Sequence, residues 1–360
     1  MSVEERTSRG DAAGFRARLQ STLDAFLERE SERLALLGPD AAALAGEAGR
    51  AVSGGKRFRA AFCWWGFHAV SPAPEDEESL LRACAALEVL HASALAHDDY
   101  MDASDTRRGR PATHRSFADA HRGQGWRGDP EQYGAAAAIL LGDLLLSWAD
   151  RMLRTCGLPA AQVGAAMELF DACKVEVITG QFLDVSVQAR GRADVETAMT
   201  VLRYKSAKYS IERPLQIGAA LAGADEPTLA ALSAFGLPLG EAFQLRDDLL
   251  GVYGDPATTG KPAGDDLVEG KRTVLVALAL DAAPAGDAVL LDASLGGPLD
   301  GEGIARLRAI IEDSGARAQV EAAIGELTRV ALQALARAPV SDPARAALAD
   351  LASAATDRSL

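Results

Sequence analysis

The hydrophobic pattern along this chain is helical over almost its whole length. Apolar residues recur at spacings of three and four, as they do on the buried face of an amphipathic helix. No stretch alternates apolar and polar residues between turn residues in the way that a half-buried strand does. The pattern predicts an all-α fold, with helices over residues 11–36, 40–52, 56–69, 77–102, 131–154, 160–188, 194–221, 227–252, 264–282, 302–313, 316–336 and 342–355.

Two segments interrupt the helical pattern. The stretch "RGQGWRGDPEQYG" (122–134) is rich in glycine and charge and predicts an exposed loop. Residues 283–303 are rich in glycine, proline and aspartate and predict a second, mobile loop. Neither segment is long enough to separate domains, and no repeat of fixed period occurs. We therefore expect one domain over residues 1–360, with residues 1–10 disordered.

Composition narrows the range of partners. Of the 360 residues, 48% are hydrophobic and 5% aromatic, which suits a helical globular protein with a sizeable core. The net charge of −14 gives an acidic surface that repels phosphate backbones, so we expect no nucleic-acid partner. An anionic substrate would have to be held by a local basic cluster or by a metal ion.

The features that bear on location favour the cytoplasm. The first residues, "MSVEERTSRGD", contain no apolar run, so we expect no signal peptide. The most apolar segment, 135–149, is interrupted by Asp143 and is too short to span a bilayer. The cysteines lack metal-ligand spacing and are typical of buried thiols in a reducing compartment. They are Cys63, Cys84, Cys156 and Cys173.

Carboxylates lie one helical turn apart in "ALAHDDYMD" (94–102). Asp98 and Asp102 share a face of the predicted helix at a separation of about 6 Å, and Asp99 is turned by about 100° from Asp98. The positions leading into the pair are apolar, which indicates the mouth of an apolar channel. A hard cation relieves the repulsion of the two carboxylates, and Mg²⁺ binds through one or two carboxylates, water and substrate phosphates.

A second acidic pair occurs far along the chain. In "FQLRDDLLGVYGD" (243–255), Asp247 and Asp248 are adjacent within an otherwise apolar helix, and Gln244 precedes them by one turn. Two such helices facing each other across a cavity would hold Mg²⁺ between them. That arrangement suits the binding and ionisation of a diphosphate, because the metal neutralises the leaving group as its charge develops.

Basic residues complete the predicted anion site. The stretch "GGKRFR" (54–59) places two glycines and then cations at the start of a helix, which is typical of an anion cradle. Arg57 by itself is better explained as a snorkelling surface side chain. Several lysines stand beside other motifs, and some of them should bind diphosphate oxygens. They are Lys205, Lys208, Lys261 and Lys271.

Taken together, these motifs resemble those of the trans-isoprenyl diphosphate synthases, the polyprenyl synthetase family that includes farnesyl and geranylgeranyl diphosphate synthases. The motifs are "GGKRFR", "HDDYMD", "RRGRPATH", "GQFLD", "YKSAKYS", "FQLRDDLLGVYGD" and "GKPAGDDLVEGKRT", in the family's order over about residues 50–280. Each is weak alone, but the ordered set is specific. The resemblance implies a single-domain bundle of antiparallel helices around a deep central cavity, assembled as a homodimer.

The resemblance also implies roles for individual residues. Asp98 and Asp102 of the first motif and Asp247 of the second would bind Mg²⁺, with three ions per active site. Asp99, Asp248 and Lys205 would join them as catalytic residues. The residues that would contact the allylic diphosphate are Arg107, Lys205, Ser206, Gln244, Lys261 and Lys271. Those that would form the isopentenyl diphosphate site are Gly55, Lys56, Arg59, His91 and Arg108.

The implied reaction lengthens a prenyl chain by one five-carbon unit. With Mg²⁺ bound, the basic side chains draw diphosphate from dimethylallyl, geranyl or farnesyl diphosphate. Isopentenyl diphosphate then attacks the allylic cation, and a proton leaves to the departed diphosphate. The sequence departs from the family pattern at Gly251, the third acidic position of the second motif. Metal binding there would rest on Asp247 and Asp248, with Asp255 as a further candidate.

Small side chains before the first motif predict a twenty-carbon product. The growing tail would pass Ala94 and Ser93, four and five residues before Asp98, and the first bulky side chain on its way is Leu90, another turn down. Each turn is about 5.4 Å of depth, comparable to one isoprene unit. We therefore expect geranylgeranyl diphosphate, with longer chains and then farnesyl diphosphate as alternatives.

Two other functional classes are compatible with the motifs. A terpene cyclase also uses an aspartate-rich helix and Mg²⁺, but it binds one diphosphate and has no need of the "GGKRFR" cradle or the second acidic pair. A non-catalytic regulatory subunit of a prenyl synthase could lose its ligands, whereas here the ligand positions are filled.

Overall fold

Helices make up almost all of the structure. The computed structural model describes residues 3–72, 74, 76–192, 194–255 and 264–357, and it is 81% helical. The prediction of an all-α fold is confirmed. The helices are α1 (Val3–Ala35), α2 (Pro39–Val52), α3 (Phe58–Val70), α4 (Glu77–Met101), α5 (Thr113–Gln124), α6 (Pro130–Arg154), α7 (Ala160–Arg190), α8 (Val195–Leu202), α9 (Arg213–Leu221), α10 (Glu226–Tyr253), α11 (Asp265–Val268), α12 (Val274–Ala282), α13 (Ala285–Ser294), α14 (Gly301–Asp313), α15 (Ala316–Arg337) and α16 (Asp342–Thr356). A π-helical segment, Arg203–Glu212, connects α8 to α9.

Aspartate caps explain where several helices begin. Asp76 accepts a hydrogen bond from the backbone N–H of Glu78 (3.0 Å) at the start of α4, and Asp129 and Asp225 cap α6 and α10 in the same way. A side-chain oxygen there satisfies one of the N–H groups that the first turn leaves unpaired. Because these signals are local, the predicted starts of the three helices agree closely with the structure.

Other boundaries differ from the pattern. The structure is helical from Val3, whereas the sequence predicts disorder over residues 1–10 and a helix from residue 11. The predicted helix 264–282 is two helices, α11 and α12, with Gly270 in the left-handed region between them. The predicted loop 283–303 contains α13, which buries only Leu291 and therefore shows little hydrophobic periodicity.

The predicted loop 122–134 is shorter than expected, because helices extend into it from both sides. α5, which the sequence does not predict, ends at Gln124, and α6 already begins at Pro130. The buried residues of α5 are Thr113, His114, Phe117, Ala118 and His121. Most of that face is polar, so no hydrophobic pattern reveals the helix. Gly125, with a φ of 64°, terminates it.

A short hairpin follows α4. Strands β1 (Thr106–Arg107) and β2 (Arg110–Pro111) pair antiparallel, with Arg107 opposite Arg110. The two turn residues, Arg108 and Gly109, have φ values of 54° and 72°. Positive φ at both positions is what a two-residue hairpin turn requires. The strands are too short to produce any alternation in the sequence.

Contacts divide the chain into two compact units. The first unit comprises Met1–Glu168, Ile217–Ala224 and Ser341–Ala347, and the second comprises Leu169–Gln216, Asp225–Val340 and Leu348–Leu360. We describe each unit by itself. The expectation of a single domain over the whole chain stays a prediction.

In the first unit, α4 is the central helix and is largely buried. It packs against α1, α2, α3 and α6. A side chain at Gly142 of α6 would overlap the ring of His97 on α4, so this glycine leaves room for the His97 ring between the two helices. α4 alone in the described part of the chain has the length and hydropathy of a membrane span, but 78% of that window is buried inside the protein, as in a core helix.

The second unit has its core around α10. Apolar residues of α10, α12, α14 and α15 form one buried cluster that includes Leu249, Leu275 and Ile311. The guanidinium of Arg246 fastens the polar side of α10, because it forms two 2.7 Å contacts with the Glu321 carboxylate. These contacts hold the helix that carries the second aspartate motif.

Candidate active site

The first aspartate motif lies at the end of α4, in the first unit. Asp98 is half-buried in the last turn, and Asp102 ends the helix by donating its backbone N–H to the carbonyl of Asp98 (2.8 Å). Since the helix is continuous to this point, the two residues lie one turn apart. The predicted spacing of the motif therefore holds.

Asp99 is engaged by an arginine of the hairpin. It is buried, and it accepts a hydrogen bond from Nε of Arg107 (2.7 Å). Nη2 of the same arginine also lies 3.7 Å from Oδ2 of Asp98. Both acidic residues therefore orient Arg107, a predicted ligand of the allylic diphosphate. These contacts fit a positioning role for Asp99, and its assignment as a catalytic residue stays a prediction.

The turn between α2 and α3 carries the predicted cradle. Lys56 is exposed and Arg59 lies half-buried in the first turn of α3. A side chain at Gly55 would lie 3.0 Å from Nη2 of Arg108, so glycine permits the approach of this guanidinium. Arg108 also donates a hydrogen bond to the carbonyl of Ser53. The structure thus brings two predicted residues of the isopentenyl diphosphate site, Gly55 and Arg108, into contact.

The interpretation of Arg57 as a snorkelling surface residue is wrong. Its side chain is buried and lies 3.2 Å from Oε2 of Glu88 on α4. The residue adopts the left-handed conformation, with a φ of 60°, and its guanidinium is enclosed by core elements rather than by solvent. The sequence around it shows only a cluster of cations and cannot reveal this inward orientation.

Positive charge surrounds His91. Burial, followed by the charges of Arg59, Arg108 and Arg107, holds the pKa of His91 well below its ordinary value. The imidazole is therefore neutral at pH 7 and can donate one hydrogen bond. His91 lies two turns before Asp98 on α4, where the sequence places it.

A cavity of about 330 Å³ lies beside the hairpin in the first unit. Four arginines line it, together with Glu47 and Asp99. Each of these carboxylates is already paired with one of the arginines, Glu47 with Arg50 and Asp99 with Arg107. The arginines are Arg50, Arg107, Arg108 and Arg110. The excess of guanidinium groups makes this side of α4 a favourable environment for anions.

The second aspartate motif lies on α10, in the second unit. Asp247 is half-buried and Asp248 is buried, and Nε2 of Gln244 donates a hydrogen bond to Oδ1 of Asp248 (2.8 Å). Burial, then the charges of Asp266 and Asp247, raise the pKa of Asp248 to about 8. Burial and the neighbouring negative charges thus favour a proton on Asp248 or a cation beside it.

Asp266, to which the motifs assign no role, belongs to this acidic cluster. Its carboxylate occupies the space that a side chain at Gly251 would need, because a Cβ there would overlap Oδ2. Position 251 lies one turn after Asp247, where the family pattern has its third acidic residue. Asp266 of α11 therefore places a carboxylate in the position that α10 leaves open. The paired aspartates of "GDDLVEGKRT" were the signal for it.

The predicted lysine-bearing helix is π-helical at its centre. Lys205 lies in this segment and contacts Oδ2 of Asp184 on α7 (2.5 Å), while Ser206 beside it is half-buried. Side chains at Gly180 of α7 and Gly240 of α10 would overlap the backbone of the segment at Lys205 and Ala207. The two glycines therefore let the widened helix lie close to its neighbours, and they account for the glycine of "GQFLD".

The other predicted lysines have acidic neighbours. Nζ of Lys271 lies 2.5 Å from Glu269 and 3.5 Å from Asp266, which places this lysine at the second motif. Lys208 contacts Glu212 (2.9 Å) and Glu176. The prediction for Lys261 lies outside the described residues.

The predicted chain-length residues differ in their surroundings. Ser93 is buried, and its hydroxyl donates a hydrogen bond to the carbonyl of Gly142 on α6 (2.7 Å). Leu90 is also buried, whereas Ala94 is half-buried and lies one turn before Asp98. Ala94 is therefore the position where a larger side chain would disturb the packing of α4 and α6 least.

The acidic residues suit a hard cation that also binds substrate. Within the described residues no group of three or more His, Cys, Asp or Glu side chains is arranged to hold a metal ion. Each motif nevertheless offers carboxylate oxygens, and in the second motif burial and the neighbouring carboxylates raise the pKa of Asp248. Mg²⁺ needs only one or two carboxylates when phosphates complete its shell. The donor set therefore fits Mg²⁺.

Comparison with known proteins identifies the family. The family described as polyprenyl synthetase matches residues 44–312. A geranylfarnesyl diphosphate synthase of Natronomonas pharaonis is 38% identical over 58% of this chain, and the alignment spans 56% of that protein. A (2E,6E)-farnesyl diphosphate synthase of Mycobacterium tuberculosis is 32% identical over 87% of this chain and 82% of its own length.

A solved structure is similar over nearly the whole chain. The geranylgeranyl pyrophosphate synthase of Corynebacterium glutamicum, determined with isoprenyl diphosphate and magnesium, has a TM-score of 0.92 and 40% identity, and the match covers 97% of this chain and 98% of that one. The chain belongs to the polyprenyl synthetase family. The prediction of a trans-prenyltransferase with the all-α fold of this family is confirmed.

The contact between Gly251 and Asp266 predicts the outcome of a small substitution. Gly251→Ala should gain less stability than a Gly→Ala change elsewhere in a helix, by about 1 kcal/mol or more, because the added methyl group must displace the Asp266 carboxylate. Gly325→Ala on α15 is the control, since nothing lies within 4 Å of its added Cβ. Thermal unfolding measures both variants, and equal melting temperatures would contradict the overlap. The double variant Gly251→Asp/Asp266→Ala should recover this difference.

Proposed function

We propose that this protein condenses isopentenyl diphosphate with an allylic diphosphate and releases a longer trans-prenyl diphosphate. The observation that supports it is the charge of the site: each unit combines carboxylates of an aspartate motif with cations held beside them. Arg107 and Lys271, both proposed ligands of the allylic diphosphate, contact the carboxylates of Asp98, Asp99 and Asp266. Arg108, which lies against the glycine turn, belongs to a separate group of cations, the proposed isopentenyl diphosphate site. Two such groups suit a two-substrate condensation.

In this proposal the first unit binds isopentenyl diphosphate. Lys56, Arg59 and Arg108 would donate charge-assisted hydrogen bonds to its diphosphate, and neutral His91 would add one more. The contact of Arg108 with the glycine turn supports this grouping. Because these donors are cationic or neutral, the bound diphosphate would stay fully ionised.

The allylic diphosphate would be held mainly by the second unit. Lys205, Ser206, Gln244 and Lys271, with Lys261 and Arg107, would donate to its oxygens. The carboxylates beside Lys205 and Lys271 would orient both lysines. As the bond between carbon and oxygen breaks, these donors would stabilise the departing diphosphate more than the bound substrate, which lowers the barrier.

Asp98, Asp102 and Asp247 would hold Mg²⁺, with three ions per active site. When bound, Mg²⁺ would neutralise charge on the departing diphosphate. The similar Corynebacterium glutamicum structure, which was determined with isoprenyl diphosphate and magnesium, supports this assignment. The side chains would fix the two diphosphates. The cation that remains after the new carbon–carbon bond forms would lose a proton to the departed diphosphate, which gives the product.

The reaction itself gives the first test. Purified protein with Mg²⁺, isopentenyl diphosphate and each allylic starter should form a longer prenyl diphosphate, detected by mass spectrometry. A terpene cyclase would instead release diphosphate from the allylic substrate alone, and a regulatory subunit would release none. Either result would contradict the proposal.

The aspartates of both motifs should be needed for turnover. Asp98→Ala and Asp247→Ala should each lower kcat by several orders of magnitude, because metal-assisted ionisation accounts for a large part of the barrier reduction. Asp105→Ala is the matched control, since this exposed aspartate pairs only with Arg115 among the contacts described. Near-normal product formation by either motif variant would refute their role.

The two substrate regions should respond separately to lysine substitutions. Lys56→Ala should raise the KM for isopentenyl diphosphate, and Lys205→Ala the KM for the allylic substrate, each by about tenfold or more for one charge-assisted hydrogen bond. Lys174→Ala, which removes a lysine paired with Asp171 on α7, is the control. An equal effect of Lys56→Ala on both Michaelis constants would speak against the assignment.

We propose geranylgeranyl diphosphate as the main product, since Ala94 and Ser93 are small. Ala94→Phe should shorten the main product to farnesyl diphosphate, as seen by product chromatography. Ser93→Phe should instead lower the melting temperature, because it removes the hydrogen bond to Gly142 and crowds α6. An unchanged product distribution in Ala94→Phe would show that the tail does not pass this face of α4.

We propose a cytoplasmic homodimer. Apolar side chains are exposed on α7 of the second unit, where Val175, Ile178 and Phe182 form a stripe, and on α6 of the first unit at Ile139 and Leu140. Exposed apolar stripes of this kind are typical of subunit interfaces. Light scattering should give twice the chain mass of 37.6 kDa, and a monomer mass would contradict the proposal.

A further inference from the structure

A buried network connects the glycine turn of "GGKRFR" to three helices of the first unit. The guanidinium of Arg57 lies 3.2 Å from Oε2 of Glu88 on α4. It also donates to Oε1 of Gln20 on α1 (2.7 Å) and to the carbonyl of Val52 at the end of α2 (2.9 Å). One side chain thereby ties the turn to α1, α2 and α4.

Glu88 completes the network from the other side. Its Oε1 accepts a hydrogen bond from the backbone N–H of Ala60 (3.1 Å), in the first turn of α3. The first turn of a helix leaves its N–H groups unpaired, and a carboxylate there is stabilising. The same carboxylate thus holds both Arg57 and Ala60, the residues that flank Phe58 and Arg59. Both Arg57 and Glu88 are buried, with 6% and 4% exposure.

The turn would not keep its shape by local preference alone. Three of its residues, Gly54, Gly55 and Arg57, have positive φ values of 74°, 92° and 60°. Glycine adopts this conformation readily, but for arginine it is unfavourable and persists only where the surroundings impose it. The contacts of the Arg57 guanidinium are the surroundings that do so.

We infer that Arg57 and Glu88 are positioning residues for the isopentenyl diphosphate cradle. They do not touch the substrate. They hold Lys56, on the turn, and Arg59, on α3, in the geometry that binds a diphosphate. Without them, the two glycines would let the turn adopt other conformations. Arg108 fastens the exposed side of the same turn through the carbonyl of Ser53. The inference rests on the proposed assignment of the cradle.

The test uses two conservative variants and one matched control. Arg57→Lys keeps the charge, but one ammonium group cannot reproduce the planar fork that reaches Glu88, Gln20 and Val52. Glu88→Gln keeps the size of the side chain and removes the charge. Glu30→Gln is the control, because Glu30 is equally buried (4% exposed) and pairs with Arg33 (2.7 Å) and Arg151 (2.5 Å) away from the turn.

Calorimetric titration with isopentenyl diphosphate alone, without Mg²⁺ or allylic substrate, reads the cradle directly. Arg57→Lys and Glu88→Gln should each raise the dissociation constant at least tenfold while leaving the KM for the allylic substrate within twofold. Hydrogen exchange of residues 53–59 should accelerate in both variants. Glu30→Gln should change neither the binding nor the exchange of this turn, whatever its melting temperature.

Two outcomes would overturn the inference. One is unchanged affinity for isopentenyl diphosphate in Arg57→Lys. This variant tests the inference by itself if Glu88→Gln does not fold. The other is a loss for both substrates in proportion to the loss of stability, as a purely structural pair would produce. If the wild-type protein neither binds nor condenses isopentenyl diphosphate, the proposed function fails instead. If Lys56→Ala leaves its affinity unchanged, the cradle assignment fails.

Discussion

Buried Asp248 lies among other carboxylates, so its ionisation is unfavourable without a compensating charge. Burial, followed by the charges of Asp266 and Asp247, raises the pKa of Asp248 to about 8, although Gln244 and Lys271 act in the opposite direction. In the first unit the charge has the other sign: burial and then the charges of nearby arginines hold the pKa of His91 low. Concentrated charge of one sign costs folding free energy, and it is typical of sites whose ligand carries the opposite charge.

The helices that carry such a site must be held by charged side chains whose own charges are paired. Two supporting arginines pair with carboxylates on other helices of the same unit: buried Arg57 with buried Glu88, and half-buried Arg246 with Glu321. Removing one member of a buried pair leaves an uncompensated charge, which is strongly destabilising. The supporting pairs therefore hold the helix ends in place while the side chains at the site remain electrostatically unbalanced.

Close approach between backbones is the second requirement. Gly180 and Gly240 allow the π-helical segment with Lys205 to lie against α7 and α10, and Gly251 leaves room for the Asp266 carboxylate. π-helical turns pack less efficiently than α-helical ones and occur mostly at functional sites. In this protein the segment also carries Ser206, so two predicted allylic-diphosphate ligands depend on the same distortion.

The sequence by itself determined the features that depend on neighbouring residues. Helical periodicity, the aspartate caps of α4, α6 and α10, and the one-turn spacing of Asp98 and Asp102 are all local, and the structure agrees with each. The order of the motifs was sufficient to indicate the family. These properties are readable because a helix is set by contacts three and four residues apart.

Only the tertiary structure decided which partner each polar side chain has. Arg57 turns inward because Glu88, distant in sequence, lies beside it, and Asp266 completes the second motif because α11 packs next to Gly251. The hydrophobic pattern does not predict α5, because its buried face includes the polar residues Thr113, His114 and His121. Contacts between residues distant in sequence depend on how the helices pack against each other, and a local sequence pattern contains no information about that packing.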